Sequence, residues 1–199
     1  MRGRSVSEGI RFAAGVASDP SGVVILWKAL TGGKVVGWLP SAFAPVPEIL
    51  HAAGLLPIAL ESGEDRPGWS GRIDVWMEGD ETKPANVEEA LDRVEALVEW
   101  TGNAAGRPAS EGAIWKSLRA YAIRRSLLAT LDERCARETE FLTPAEHKDI
   151  VRAGIFLPPE AHSRLLSTIL GLDDNSVINP SGEERGDPLL VLAKRIVAG

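Results

Sequence analysis

The sequence contains a single cysteine, Cys135, among its 199 residues. One thiol cannot form an intrachain disulfide. It also cannot supply the set of thiolates that holds an iron–sulfur cluster, or the ligands of a structural zinc site. Cys135 lies within LDERCARE, which we interpret as helical, where its neighbours Arg134 and Arg137 do not face it. We therefore predict a structural cysteine and no metal site built by this chain alone.

The chain also lacks an excess of basic residues and any long apolar run. It has 22 lysines and arginines against 28 aspartates and glutamates, a net charge of −6, so the basic stripe of a nucleic-acid-binding protein is not expected. No run approaches the roughly 18 apolar residues of a membrane-spanning helix. Glu8, Arg11 and Asp19 interrupt the amino terminus, unlike a secretory signal peptide. We expect a cytoplasmic protein with neither nucleic-acid nor membrane partners.

The stretch GGKVVGWLPSAFAPVPEILHAAGLLPIAL, residues 32–60, predicts a strand, a loop, a short helix and a second strand. The apolar run 34–40 is bounded by glycine and proline, which favours a buried strand. LLPIAL at 55–60 is the second strand, and the short helix between the two predicts a parallel, right-handed crossover. RIDVWM at 72–77 is a candidate third strand.

From residue 87 onwards, the apolar residues follow the period of a helix. VEEALDRVEALVEW places five apolar side chains on one helical face: Val87, Leu91, Val94, Leu97 and Val98. Ser110 is the predicted cap of the next helix, and Thr143 with Glu146 forms a predicted capping box before a third. PPEAHSRLLSTILGL predicts a further helix that starts at proline. The apolar tail LLVLAKRIVAG is compatible with a strand or a helix.

The predicted organisation has four parts. Residues 1–33 form an N-terminal helical segment, and residues 34–80 form a shortened α/β unit. Residues 87–172 form a helical region, and residues 173–199 a C-terminal loop and apolar tail. The predicted fold class is therefore α/β, with a truncated Rossmann-like parallel sheet unit followed by a mainly helical region. The strands are too few for a complete doubly wound sheet.

Three stretches carry a family resemblance. WKALTGGKVVGWLP through EILHAAGLLPIAL resembles the amino-terminal segment of the 2-hydroxyacyl-CoA dehydratase/benzoyl-CoA reductase family, and in particular its cluster-carrying benzoyl-CoA reductase subunits. EALVEWTGNAAGRPASEGAIWKSLRAYAIRRSLLATLDE resembles the family's helix pair around a Thr-Gly-Arg-like turn. TPAEHKDIVRAGIFLPPEAHSRLLSTIL resembles the segment that follows that pair. The stretches keep the family's order and span most of the chain.

The resemblance implies acyl-CoA chemistry of anaerobic aromatic degradation. Family members are much longer, bind a [4Fe–4S] cluster through cysteines, hold an acyl-CoA beside it, and receive electrons from an ATP-hydrolysing activator. Here the segment between Leu60 and Val87 is too short for the rest of the first α/β domain. Cys135 matches no family ligand motif, and YAIRR lacks the asparagine that usually precedes the family's arginine. The resemblance therefore implies an internally shortened relative without a cofactor of its own.

Ser41 and Glu48 are the candidate substrate-binding residues. The resemblance implies that they face the acyl-CoA and cluster cavity, and a helix start also favours anions. The alternative is that Ser41 is a turn residue and that Glu48 satisfies the first turn of its helix. Glu48 and His51 have the Glu-x-x-His spacing of di-iron bundles, but those need a second copy and two further glutamates. His51 is therefore predicted to be a packed or partly exposed helix residue, whereas His147 and His162 are predicted to lie at the surface.

The sequence leaves several functions open, and it assigns no catalytic residue. The leading hypothesis is a shortened benzoyl-CoA reductase relative that is inactive alone and binds a CoA thioester or a full-length partner subunit. One alternative is a component of an active ATP-dependent acyl-CoA reductase complex whose partners supply the cluster ligands. Another is a non-catalytic interaction protein. We expect a homo- or hetero-oligomer with related subunits, and the interaction protein in particular predicts a stable hetero-oligomer without iron.

A degenerate chain that folds poorly is the remaining possibility. The loss of part of the sheet would expose apolar strand residues such as Val35, Val36, Leu56 and Ile58. A chain of that kind is expected to melt over a broad range, without cooperativity.

Overall fold

The computed structural model describes residues 4–38, 46–60, 71–77, 82–172 and 186–198. The described chain is mainly helical and contains a small three-stranded parallel sheet, in agreement with the predicted α/β class. It divides into two compact units. The helical unit comprises Met1–Leu26 and Arg119–Ser181, and the sheet unit comprises Trp27–Leu118 and Gly182–Gly199.

Three strands form the sheet of the sheet unit: β1 (Val35–Trp38), β2 (Leu56–Ala59) and β3 (Val75–Met77). Their order is β2-β1-β3, and both pairs are parallel. The short helix α3 (Pro47–Ala52) lies between β1 and β2 in the chain. The strands predicted from apolar runs, and the parallel pairing of the first two, are confirmed.

The central strand β1 has its register fixed on both sides. Gly37 lies opposite Ile58 of β2 and Trp76 of β3. A side chain at Gly37 would displace Ile73, because a Cβ there would lie 2.7 Å from the Cδ1 atom of Ile73. The missing side chain thus allows Ile73, next to the third strand, to pack closely against the middle of the sheet.

The apolar residues of the sheet are covered, although the sheet is small. Val35, Val36, Leu56 and Ile58 are each at most 1% exposed. The expectation that shortening would expose these four residues is therefore wrong. Helices cover the sheet. Leu50 of α3 packs in one cluster with Val36, and Trp100 and Ala104, from the long helix that follows the sheet, pack against this cluster.

Two long helices and the tail complete the sheet unit: α4 (Val87–Ala105), the first part of α5 (Glu111–Arg137), and α8 (Pro188–Ala198). The tail, which the sequence left open as strand or helix, is helical and packs against α4. Six buried apolar side chains from these helices and from the α3 region form a second core cluster: Val46, Ile49, Val94, Ile114, Leu118 and Leu192.

The helical unit contains α1 (Arg4–Ser18), the start of α2 (Ser21–Thr31), the second part of α5, α6 (Pro144–Phe156) and α7 (Pro159–Leu170). Helix α1 packs against both α6 and α7. The predicted capping box before α6 is confirmed, since Thr143 Oγ1 accepts from the Glu146 N–H and the Glu146 carboxylate accepts from the Thr143 N–H. None of the helices in the described part of the chain is long and apolar enough to cross a membrane.

Candidate functional site

The carboxyl ends of the parallel strands mark the first candidate site. All three strands point the same way, so Trp38, Ala59 and Met77 end at one edge of the sheet. The chain continues from β1 to β2 on one side and then to β3 on the other, so the strand order reverses beside β1. Open α/β sheets bind ligands outside their carboxyl ends at such a point.

Glu48 lies in the first turn of α3, the helix that connects β1 to β2. A crossover helix begins near the carboxyl end of the strand that precedes it, so this turn lies on the carboxyl side of the sheet. The Glu48 side chain is only 3% exposed, and its Oε1 atom accepts a hydrogen bond from Arg195 Nη2 of α8 at 2.6 Å. The structure therefore joins a predicted site residue to a tail residue in one ion pair. Ser41, the other candidate, lies outside the described residues.

One turn after Glu48, His51 forms a second polar contact from the same helix. Its Nδ1 atom lies 2.9 Å from Ser117 Oγ of α5, and its ring lies 6.5 Å from that of Trp27. A serine and a histidine in contact could act as nucleophile and base. Ser117, however, is 1% exposed in the middle of a helix, so no substrate carbonyl can reach it. His51 is partly buried, as predicted, and serves the packing of α3.

His162 is buried, and its predicted surface position is wrong. The side chain is fully buried in α7, where Nε2 donates to the Ile150 carbonyl oxygen at 2.9 Å. Burial lowers the pKa of His162 from 6.5 to about 4, with the nearby Arg124 charge acting in the same direction and the Ile150 hydrogen bond opposing them. The charged neighbours in sequence misled the prediction, because His162 shares its helical face with the apolar Leu166 and Ile169.

His147 and Cys135 belong to the same helical unit. His147 is partly exposed and lies with Nε2 2.7 Å from Asp132 Oδ1. Burial, together with the charge of Asp132, raises the pKa of the Cys135 thiol, which disfavours the reactive thiolate. This supports the structural interpretation of the cysteine. Across the described ranges, no group of three or more His, Cys, Asp or Glu side chains is arranged to hold a metal ion.

A pocket of about 440 Å³ lies in the helical unit, between α1 and the turn that precedes α6. Apolar residues such as Ile10 and Leu142 line it, together with Thr143 and Glu146. The last two side chains already bond each other's backbone in the capping box. Ser7, Thr139 and Glu140 add further polar groups, but no residue of the lining is basic. The pocket therefore offers no cation to an anionic ligand, whereas the carboxyl edge of the sheet lies beside Arg195.

Arg195 is the residue of the candidate site that sequence analysis missed. The sequence showed it only as part of a local basic pair with Lys194. A helical interpretation of the tail would have placed Leu189, Leu192 and Ile196 on one buried face. Nothing in the sequence indicates that Arg195 meets Glu48, because 147 residues separate them.

No protein-family model matches the chain, and no curated protein matches it at a significant level. The function proposed for the site therefore depends on its geometry and on the residues that carry the sequence resemblance.

Proposed function

We propose that this chain is a shortened relative of the benzoyl-CoA reductase and 2-hydroxyacyl-CoA dehydratase subunits. In this proposal its sheet is a reduced Rossmann-like unit, and the chain binds a CoA thioester at the carboxyl edge of that sheet. In this proposal the chain transfers no electrons alone. It acts as a binding subunit beside related subunits, with no cofactor of its own.

The observation that carries the proposal is the parallel β2-β1-β3 order with its reversal beside β1. This order is the smallest sheet in which the ligand crevice of an open α/β fold can form. CoA carries a nucleotide portion, which is the type of ligand that such crevices bind. Glu48, one of the two predicted site residues, lies on that side of the sheet.

The lack of redox chemistry follows from the ligands available in the sequence. A [4Fe–4S] cluster is held by several cysteine thiolates, and the whole chain has one cysteine. That cysteine, Cys135, has a raised thiol pKa. Any cluster beside this chain would therefore need ligands from a partner.

Calorimetric titration of the purified chain with CoA and with benzoyl-CoA tests the proposal. We expect saturable binding with a dissociation constant in the micromolar range, which corresponds to about −8 kcal/mol. Absence of binding for both compounds at millimolar concentration would overturn it. Inorganic sulfate serves as the control for non-specific anion binding.

Iron and acid-labile sulfide, measured in protein purified without oxygen, distinguish the binding subunit from the enzyme alternative. We expect neither in stoichiometric amount. A stoichiometric cluster, together with co-purifying related subunits, would favour the component of an active ATP-dependent reductase complex instead.

The exposed face of α2 favours association with related subunits. Ile25, Leu26 and Leu30 are large apolar residues at helical spacing and are 48%, 58% and 76% exposed. The helix has one charged residue, Lys28, and that ammonium is bonded to Asp74 instead of facing a partner. We propose that this face packs against a second copy of the chain, since an uncharged helical face is complementary to itself.

Light scattering coupled to size exclusion tests this association. We expect the wild-type chain to elute as a dimer and the Leu26→Glu/Leu30→Glu variant as a monomer. Ser18→Glu, which adds a charge at an exposed residue outside α2, serves as the control and should leave the dimer intact. A weak dimer would still form at a protein concentration on the order of 10⁻⁴ M. A wild-type chain that is monomeric at that concentration would therefore count against the proposed dimer.

A further inference from the structure

We propose that Arg195 binds a phosphate group of the ligand at the carboxyl edge of the sheet, with its guanidinium held in place by the buried Glu48 carboxylate. The inference deepens the proposed function, and it rests on that function for the identity of the ligand as a CoA thioester. The chemistry it requires is more general, since any phosphate ester or diphosphate offers the same oxygen atoms.

Arg195 is fixed at one end and accessible at the other. Its Nη2 atom donates to Glu48 Oε1, while its side chain remains 39% exposed. A guanidinium carries five N–H donors in a planar fork. Within the described ranges, Glu48 engages only Nη2, and no other hydrogen bond of Arg195 is present. The remaining donors are therefore available to a ligand whose oxygen atoms match the fork, as those of a phosphate do.

The position of the pair agrees with this role. Glu48 lies in the first turn of the crossover helix α3, on the side of the sheet where the strands end. Arg195 lies near the end of α8, the tail helix that packs against α4. The tail thus brings a cation to the edge at which ligands bind in open parallel sheets.

A purely structural role explains the pair less well. Removing a carboxylate from water is costly, and apolar residues of similar size often stabilise a protein as well as a buried ion pair does. Helix α8 is already anchored by Leu192 and Ala193, which are both fully buried. Apolar burial thus already anchors the tail, and the ion pair adds what a preorganised guanidinium at a binding edge requires, a buried acidic partner.

The pair recognises a phosphate group through hydrogen-bond geometry and not through net charge. Glu48 and Arg195 together carry no net charge, so recognition depends on the directed N–H donors and not on long-range attraction. A lysine at 195 keeps the positive charge and can keep the ion pair, but it loses the planar fork. Lys194 is exposed, has the same charge, and is adjacent in sequence, so its replacement measures the contribution of charge alone.

The test is calorimetric titration of the full chain with CoA, with pantetheine, which has no phosphate, and with inorganic pyrophosphate. The proteins are the wild type, Arg195→Lys and Lys194→Gln, each checked by a cooperative thermal melt. We expect Arg195→Lys to weaken CoA and pyrophosphate binding about tenfold or more, the loss of one charge-assisted hydrogen bond. Lys194→Gln should change either affinity less than about twofold, and pantetheine binding should not respond to Arg195→Lys.

Each result has a distinct meaning. If the wild type binds CoA and pyrophosphate but Arg195→Lys binds them equally well, Arg195 is not a ligand residue and only the proposed function survives. If pyrophosphate binds and responds to Arg195→Lys while CoA does not bind, the phosphate site is supported and the CoA function falls. If the wild type binds neither compound, or if Lys194→Gln weakens binding as much as Arg195→Lys, the inference is overturned.

Discussion

The two units of the chain differ in how their polar side chains are paired. In the sheet unit, polar side chains reach partners that are far away in the sequence. Three pairs span 147, 66 and 46 residues, respectively: Glu48 with Arg195, His51 with Ser117, and Lys28 with Asp74. Asp74 also accepts from the Val35 N–H, which ties this carboxylate to the central strand. Each pair fixes one element against another.

In the helical unit, the side-chain pairs are shorter in sequence and several buried polar atoms have no partner among the described residues. The Thr143–Glu146 capping box spans three residues and the Arg134–Glu138 pair spans four. The buried side-chain atoms that make no hydrogen bond include His162 Nδ1, Ser163 Oγ and Ser167 Oγ. The sheet unit has one such atom in its described part, Trp27 Nε1.

This difference separates the roles of polar residues in the two units. Pairs that join distant segments specify the arrangement of α3, α8 and the sheet, which is the arrangement that the proposed site needs. The helical unit also has bonds between helices, from Arg124 to the Gly154 carbonyl and from Arg134 to the Leu170 carbonyl, but its buried atoms without a hydrogen bond are sites of weakness. Changes at buried polar groups should therefore have different consequences in the two units.

The largest effect is expected from breaking the pair that joins α3 to α8. Arg195→Ala leaves the Glu48 carboxylate buried without its cation, and such losses cost 3–5 kcal/mol when both partners are buried. Because Arg195 is 39% exposed, we expect a smaller decrease of about 2–3 kcal/mol in the free energy of unfolding. Urea unfolding at pH 7 measures it.

The double variant Glu48→Gln/Arg195→Ala tests the cause of this loss. If the loss of the cation beside the Glu48 carboxylate is responsible, the double variant should recover at least half of the lost stability, because the buried carboxylate is then replaced by a neutral amide. A double variant that is as unstable as Arg195→Ala would show that the packing of the arginine side chain, and not the charge of Glu48, stabilises α8.

Acid should weaken the helical unit through His162. Its pKa is about 4 in the folded chain and 6.5 as the ordinary value, so the unfolded chain takes up a proton first as the pH falls. Stability is therefore constant above about pH 6.5 and decreases towards pH 4. Between pH 7 and pH 5 we expect a loss of about 2 kcal/mol from this residue.

Urea unfolding at both pH values, compared between variants, isolates the contribution of His162. His162→Gln should remove most of the pH-dependent loss, although it lowers the stability at pH 7. His147→Gln, which replaces a partly exposed histidine of the same unit, should keep the loss. Equal pH dependence in the wild type and His162→Gln would refute the assignment.

The features predicted correctly from the sequence are those that neighbouring residues determine. The three strands follow from short apolar runs, the first of them bounded by glycine and proline, and the capping box follows from Thr143, Pro144 and Glu146 at the start of a helix. The sequence did not predict the burial of His162, because charged neighbours hid the helical face on which it lies. It also did not predict the Glu48–Arg195 pair, which depends on the packing of a tail whose type of element remained open.

Gly154 offers a smaller test of packing in the helical unit. It lies within α6, and a Cβ there would come 2.6 Å from His162 Nδ1. Overpacking of a core costs about 1–3 kcal/mol, against a gain of about 1 kcal/mol for alanine over glycine in a helix. We therefore expect Gly154→Ala to reduce the free energy of unfolding by about 1.5 kcal/mol.

Gly15→Ala in α1 is the matched control for Gly154→Ala, because no atom lies within 4 Å of a Cβ at that position. It should increase stability by about 0.5–1 kcal/mol through helix propensity alone. Opposite signs in the two glycine variants are the expected outcome in urea unfolding. Equal gains would mean that the His162 ring can move away from α6, and that the buried histidine is not closely packed.

The smallest expected effect concerns a helix end. Thr143→Ala removes the hydroxyl that accepts from the Glu146 N–H at the start of α6, while the main-chain contact from Thr143 N to the Glu146 carboxylate remains. Loss of a cap costs about 1 kcal/mol. Thr143→Ser, which keeps the hydroxyl, should restore most of it in the same unfolding assay. If both variants lose stability equally, the methyl group of Thr143 and not its hydroxyl supports the start of α6, and the helical unit depends on apolar contacts even at this helix end.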